Sequence, residues 1–269
     1  MKYTFGFIGA GNMGGALAKA ASKGMDPAQI ALSDKDTARA ESLAAELGCA
    51  AASVKDVAAS CQYVFFGVKP QMMGALFEEI GPVLAARNDD FVLVSMMAGV
   101  LIGDIRKALG ADYPVIRIMP NIPAAVGGGV ILFDATENVS AAAVERFCTN
   151  MRCAGLVDRL PEHLIDAGTA ISGCGPAYAC LFIEAMADGG VACGLPRDKA
   201  VRYAAQMLMG TAKLLLENGQ HPGQLKDAVC SPGGSTIAGV RALEQNGFRA
   251  AAMDAVESAY LRTQELGKK

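Results

Sequence analysis

Residues 3–15 read YTFGFIGAGNMGG. A β-type run, Thr4–Ile8, passes straight into Gly9-Ala10-Gly11-Asn12-Met13-Gly14, and a helical stretch, Gly14–Ser22, begins at once behind it. This is G-x-G-x-x-G between a strand and a helix. The first glycine allows a tight turn, the second lets the backbone approach a pyrophosphate, and the third lets helix and strand pack closely. Free N–H groups at the helix start then face the phosphates. The motif alone is weak; its position after a strand, before a helix and at the head of an α/β pattern makes it a dinucleotide site. The bland alternative is a structural glycine turn.

Working outward, β-type runs recur at Ile30–Ser33, Tyr63–Gly67, Phe91–Ser95, Val115–Met119 and Val130–Phe133. Helical runs lie between them, among them Thr37–Leu47, Gln71–Ile80 and Ile102–Leu109. Such alternation implies an α/β fold, a doubly wound, mostly parallel sheet covered on both faces. After Pro161 the β signal stops. The sequence predicts helices at Glu162–Ser172, Pro176–Cys193, Arg197–Glu217, Pro222–Val229, Thr236–Gln245 and Phe248–Leu266, punctuated by Gly and Pro. Two domains are expected: residues 1–159 for the dinucleotide and residues 160–269 as an all-helical part. The 176–193 and 197–217 helices are apolar nearly all round, so a second subunit is expected to cover them.

Composition removes other classes. The 269 residues are 52% hydrophobic and 19% charged, with net charge −3, which excludes intrinsic disorder. A mildly acidic chain is a poor partner for nucleic-acid phosphates. No stretch reads as a membrane span. Glycines at 6, 9, 11, 14 and 15 interrupt the N-terminal apolar run that would otherwise resemble a signal peptide. The eight cysteines form no CxxC pair and the two histidines lie far from any of them, so no metal site is expected and the thiols read as reduced, in a cytoplasmic protein.

Candidate ligand residues collect at the carboxyl ends of strands. Ser33-Asp34-Lys35 closes the second strand, where an adenosine ribose lies. Ser33 and Lys35 suit a 2′-phosphate and Asp34 opposes it. Gly67-Val68-Lys69-Pro70, the Met96-Met97 loop and Asn121, which has a proline on either side, follow later strands. For Lys69 an exposed loop charge is an equal reading. In the helical half, Ser231-Pro232-Gly233-Gly234-Ser235-Thr236 opens a helix and has the logic of a second anion site, with ordinary N-capping the even alternative. His163 and His221 sit at helix starts and turns and read as capping or surface residues. A dehydrogenase that makes an alcohol needs a proton donor. None is evident here, whereas a substrate that is already a protonated imine removes the need.

These residues resemble the pyrroline-5-carboxylate reductase family from end to end. The matching stretches are FIGAGNMG at 7–14, GVKPQ at 67–71, SMMAG at 95–99, RIMPNIP at 117–123, SGCGPAY at 172–178 and HPGQLKDAVCSPGGSTIAGV at 221–240. The resemblance implies a Rossmann domain followed by a helical dimerisation domain whose helices intertwine with a partner's, with assemblies up to a decamer. It implies NADPH, with NADH also accepted, on Gly9, Ala10, Gly11, Asn12, Met13 and Gly14, near Ser33, Asp34 and Lys35, the Gly67-Val68-Lys69-Pro70 loop, Met97 and Asn121. It places 1-pyrroline-5-carboxylate on Ser231, Gly233, Gly234, Ser235 and Thr236. Thr236 hydrogen-bonds the ring nitrogen, and hydride passes from nicotinamide C4 to imine C5, giving L-proline. Many members have Asn-Arg where Asp34-Lys35 stands, and often Ala where Met96 and Met97 stand. Two rivals remain. A β-hydroxyacid dehydrogenase would need a catalytic Lys on the helix that here begins Cys174-Gly175-Pro176. A non-catalytic dinucleotide-sensing oligomer would leave the second glycine turn without a purpose.

Overall fold

The computed structural model describes residues 1–267. Its N-terminal part lays down β1 (Tyr3–Ile8), α1 (Asn12–Gly24), β2 (Ile30–Ser33), α2 (Thr37–Leu47), β3 (Ala50–Ala51) and α3 (Val54–Ser60). It continues with β4 (Cys61–Phe66), α4 (Met73–Ala85), β5 (Val92–Ser95), α5 (Ile102–Leu109) and β6 (Val115–Pro120). β7 (Gly129–Ala135), α6 (Ala141–Met151), β8 (Gly155–Arg159) and α7 (Glu162–Ser172) complete it. The strands form one sheet in the order β3-β2-β1-β4-β5-β6-β7-β8. Chain order reverses between β1 and β4, and ligands bind in the crevice at that switch.

Side chains alternate across the strands and divide the core in two. Phe5, Phe7, Tyr63, Phe65 and Phe147 fill one face, with the Phe7 and Phe65 rings stacked at 4.3 Å. Val64, Phe66, Phe77, Ile80 and Ile105 fill the other. Strands buried on both sides are what a parallel sheet requires. The sheet is mostly parallel, as expected, with one antiparallel pairing: β7 runs antiparallel to β6. The Asn121–Gly128 connection holds only a short 3-10 turn, Ile122–Val126, too little chain for a parallel crossover.

The first compact unit does not end at residue 159. It runs Met1–Gly173 and takes in the chain again from Tyr260, while Cys174–Ala259 forms the second unit. The reason is α7. Its Ile165 is fully buried against Met119 and Leu132 of β6 and β7. Its Asp166 pairs with Arg117 of β6 at 3.2 Å. The expected domain 160–269 is thus split by packing at Gly173. Its last two residues, Lys268 and Lys269, lie outside the described ones.

The second unit consists of α8 (Gly175–Ala192), α9 (Arg197–Asn218), α10 (Pro222–Val229), α11 (Ser235–Gln245) and most of α12 (Phe248–Gly267). Ala187, Ala200 and Ala204 are its buried apolar residues, whereas Leu181, Tyr203, Met209, Leu216 and Met253 are exposed. One chain leaves the apolar faces of α8 and α9 uncovered, as their all-round apolar pattern predicts. The run Glu162–Ala192 is long and apolar enough, by length and composition, to cross a membrane. Here it is two helices, α7 and α8, broken at Gly173-Cys174.

Candidate active site

The turn after β1 is built on glycine. Gly9 has φ +108°, and a Cβ there would stand 2.4 Å from the Gly67 carbonyl oxygen. A Cβ on Gly14 would stand 2.0 Å from the Gly9 oxygen. The β1 and β4 ends therefore close on each other, with the Gly67 N–H bonded to the Ile8 carbonyl at 2.8 Å. Gly11 differs. A Cβ on it would meet nothing within 4 Å. Gly11 is the N-cap of α1 and supplies no side chain to cap it, so the first-turn N–H groups of Asn12, Met13 and Gly14 keep their hydrogen-bonding capacity. Open space beside uncapped N–H groups is the arrangement that admits a pyrophosphate. The residues present fit a dinucleotide.

A cleft of about 440 Å³ runs from this turn along the carboxyl ends of β2 and β4 and is lined by Gly9, Gly11, Asp34, Lys35, Gly67 and Lys69, among others. Val68 also lines it, and Pro70 starts the 3-10 turn behind it. Asp34 is held firmly. One carboxylate oxygen accepts from the Ala10 N–H at 2.8 Å and the other from the Asp36 N–H at 3.0 Å. The Arg39 guanidinium stands 4.0 Å from Asp34 and 3.5 Å from Asp36. Arg39 was not singled out in the sequence. Its place two residues into α2, behind the Asp36 cap, was the available signal.

Three expected cofactor residues have buried side chains. Met97 is 1% exposed and packs into the second core face, so its side chain is no part of the cleft. Asn121 is buried, with its amide nitrogen donating to the Ser172 carbonyl and its oxygen accepting from the Val130 N–H, both at 2.8 Å. It pins the end of α7 to β7. Ser33 is buried too, and its carbonyl accepts the Gly9 N–H at 2.8 Å.

Arg117 was missed as well. It is the largest fully buried side chain, 1% exposed, in the otherwise apolar strand VIRIMP. Its guanidinium lies 3.5 Å from Glu162 and 3.2 Å from Asp166, while Nε and one terminal nitrogen have no hydrogen-bond partner. The signal was a lone charge inside an apolar strand. Glu162 also accepts the Ile102 N–H at 2.8 Å, tying the start of α5 to α7.

In the helical unit, Ser231 to Gly234 form a tight turn closed by the Gly234 N–H to the Ser231 carbonyl at 3.0 Å. Pro232 and Gly233, the latter at φ +68°, are the residue pair a type II turn requires. Gly234 caps α11 without a side-chain hydrogen bond, so Ser235 and Thr236 open the helix with free N–H groups. Ser231, Gly233, Ser235 and Thr236 are exposed and Gly234 is half-buried. The side-chain N-capping alternative thus fails at this helix. His221 does cap, its Nδ1 accepting the Gly223 N–H at 3.1 Å, and His163 is exposed in the first turn of α7.

Two family models match the chain. One, described as pyrroline-5-carboxylate reductase dimerisation, covers residues 162–266. The other, described as NADP oxidoreductase coenzyme F420-dependent, covers residues 4–99. The chain is 40% identical to pyrroline-5-carboxylate reductase 3 of Macaca fascicularis, over 98% of this chain and 96% of that one. It is 39% identical to pyrroline-5-carboxylate reductase of Escherichia coli over all of both chains. It is also similar to the crystal structure of Plasmodium falciparum pyrroline carboxylate reductase with NADP bound, with TM-score 0.84, 31% identity and 99% of each chain covered. The fold, the two glycine-opened helix starts and this full-length similarity together assign the chain to the pyrroline-5-carboxylate reductase family.

Proposed function

We propose that this protein reduces 1-pyrroline-5-carboxylate to L-proline, the final step of proline biosynthesis, with NADPH or NADH. The observation that carries the reading is the pair of helix starts, Gly11 before α1 and Gly234 before α11, each without a side-chain cap. One suits a pyrophosphate and the other a carboxylate. A reductase joining a dinucleotide to a small anionic imine needs both.

When bound, the reduced nicotinamide supplies a hydride for imine C5. The chain does the rest. The N–H groups of Asn12, Met13 and Gly14 hold the pyrophosphate, and the Gly67-Val68-Lys69-Pro70 loop borders it. Ser231, Gly233 and Gly234 shape the turn that presents the Ser235 and Thr236 N–H groups to the substrate carboxylate. The Thr236 hydroxyl stands at the ring nitrogen and fixes the ring's orientation. The ring nitrogen of a protonated imine already carries its proton, so no side chain has to deliver one to the product. This agrees with the placement of both histidines outside the glycine turns.

The exposed apolar faces of α8 and α9 support a dimer through the helical unit, and the reading includes assembly of dimers up to a decamer. The reading also includes a cytoplasmic protein with no nucleic-acid or membrane partner, in keeping with its mild negative charge. The assay is dinucleotide oxidation with pyrroline-5-carboxylate, with proline quantified in parallel. One proline should form per dinucleotide consumed, and small 2-oxo and 3-hydroxy acids should give no comparable rate. Turnover on a hydroxy acid would favour the dehydrogenase rival; tight dinucleotide binding with no turnover would favour the sensor.

A further inference from the structure

The strand order β3-β2-β1-β4-β5-β6 sets the two halves of a dinucleotide on either side of the switch between β1 and β4. The adenosine half belongs over β2, whose carboxyl end is Ser33. The nicotinamide half then falls to the loops that leave β5 and β6, residues 96–101 and 121–128. How firmly such a loop is held matters, because reacting atoms must be brought within about 3.5 Å of each other.

Residues 96–101 are weakly held by their own hydrogen bonds. The Met96 N–H reaches the Phe66 carbonyl at 3.4 Å, the Met97 N–H the Ser95 hydroxyl at 3.4 Å, and the Val100 N–H the Met97 carbonyl at 3.3 Å. All three exceed the ordinary range of such bonds, whose upper end is about 3.2 Å. Gly99 adds a left-handed φ of +74°, and Ala98 and Leu101 are exposed. The shorter bonds lie at the exit. There the Leu101 N–H meets the Asp104 carboxylate at 3.0 Å, and the Ile102 N–H meets Oε1 of Glu162, in α7, at 2.8 Å.

Glu162 is itself fixed. Its N–H donates to Asp134 of β7 at 2.8 Å. The same Oε1 faces the Arg117 guanidinium, 1% exposed, at 3.5 Å. At the far end of α7 the Ser172 carbonyl accepts the Asn121 amide at 2.8 Å. One helix, packed on the sheet through Ile165, therefore grips the exit of one loop with its first residue and the start of the other with its last.

We propose that Glu162 is a positioning residue for the reaction: from the first turn of α7 its carboxylate fixes the 96–101 loop, against which the reduced nicotinamide lies. This rests on the reading of the protein as a nicotinamide-dependent reductase.

The test is equilibrium titration of the purified full-length protein, with no imine present, using NADPH and 2′-phospho-ADP-ribose, which lacks only the nicotinamide ring. Two variants separate reach from charge. Glu162→Asp keeps a carboxylate but shortens the arm by one methylene, away from the Ile102 N–H. Glu162→Gln keeps the length and an accepting oxygen without the charge. The wild type should bind NADPH several-fold more tightly than the fragment. Glu162→Asp should weaken NADPH by about tenfold, the effect of one charge-assisted hydrogen bond, and leave the fragment within about twofold. Glu162→Gln should keep most of the wild-type preference. General loosening of the fold lowers both affinities together and does not move their ratio. Amide exchange gives a second readout: without ligand, residues 98–102 should exchange faster in Glu162→Asp than in the wild type or Glu162→Gln. An unchanged ratio in Glu162→Asp, equal losses for both ligands, or a Glu162→Gln variant as impaired as Glu162→Asp overturns the proposal. A wild type with no preference for NADPH over the fragment does so too. A protein with the expected binding pattern that reduces no pyrroline-5-carboxylate sinks the reductase reading alone, and binding of neither ligand removes both.

Discussion

Gly9, Gly11 and Gly14 share one motif and do three different things. Gly14 is sterically locked, since any Cβ would strike the Gly9 carbonyl at 2.0 Å. Gly9 is locked by its φ of +108° and by Gly67. Gly11 is free, so its importance lies with the ligand. Gly11→Ala should leave the thermal midpoint near that of the wild type and weaken dinucleotide binding by roughly tenfold or more, because the methyl group occupies the path of the pyrophosphate. Gly14→Ala should lower the midpoint itself by several degrees, the usual result of forced overpacking. Equal thermal losses in the two variants would contradict the division. At the second turn, Thr236→Ala should lower kcat by roughly 10- to 1000-fold, as for loss of one positioned hydrogen bond, with dinucleotide affinity unchanged. Wild-type rates would remove Thr236 from the chemistry. The glycine turns were legible in the sequence because Gly9 and Gly233 adopt positive φ and Gly14 has no room for a Cβ. The burial of the Met97 and Asn121 side chains was not legible, because a sequence places a residue on a loop without saying which way its side chain points.

Of the capped helices, α2 and α5 were legible to the residue, whereas α6, where Ser140 accepts the Ala143 N–H, was not expected. α2 begins where the Asp36 side chain accepts the Arg39 N–H and ends at Gly48 in a left-handed conformation. α5 ends in the same way at Gly110. α3 carries the same kind of mark, Ser53 capping the Asp56 N–H at 3.0 Å, and was passed over because it is only seven residues long. β3 has two residues and β8 is a largely exposed edge strand, so neither has a hydrophobic pattern strong enough to read. The reversed direction of β7 was not legible either, because it depends on the length of a connection that itself looked like a loop. Arg117 couples β6 to α7 from inside the core. Arg117→Ala should cost roughly 3 kcal/mol in denaturant unfolding, near the lower end for a broken buried pair because Glu162 and Asp166 keep some solvent. Arg117→Met should recover part of that loss, since an apolar side chain of similar length fills the space. If the alanine variant loses less than about 1 kcal/mol, within the ordinary range of an exposed pair, the buried network is not what holds α7.

For the molecule as a whole, the sequence predicted two parts but not where packing divides them, since α7 is helical like the second unit yet buried against the sheet. Burial of two neutral acids, Cys61 and Tyr63, works against stability at alkaline pH. Desolvation pushes the Cys61 thiol and the Tyr63 phenol each up to about 12. In the unfolded chain these groups ionise near pH 8.5 and roughly 10, so the unfolded state loses its protons first and gains relative to the folded state as pH rises. The thermal midpoint should therefore show no loss from these groups below about pH 8 and should fall progressively between about pH 9 and 12. A Cys61→Ala/Tyr63→Phe double variant should lose part of that slope, and a slope identical to the wild type would contradict the assignment. Assembly is the other property at this scale. Tyr203→Glu, a charge placed on the exposed apolar face of α9, should shift the protein toward monomer in light scattering and lower activity with it. The most direct measurement of the central claim is a crystal structure of the assembled protein with a dinucleotide and a non-reactive proline analogue. The account predicts the analogue's carboxylate on the Ser235 and Thr236 N–H groups and its ring nitrogen at the Thr236 hydroxyl, opposite a nicotinamide whose pyrophosphate rests on Gly11 to Gly14. An analogue bound elsewhere, or a 231–236 turn remote from every dinucleotide in the particle, would contradict it.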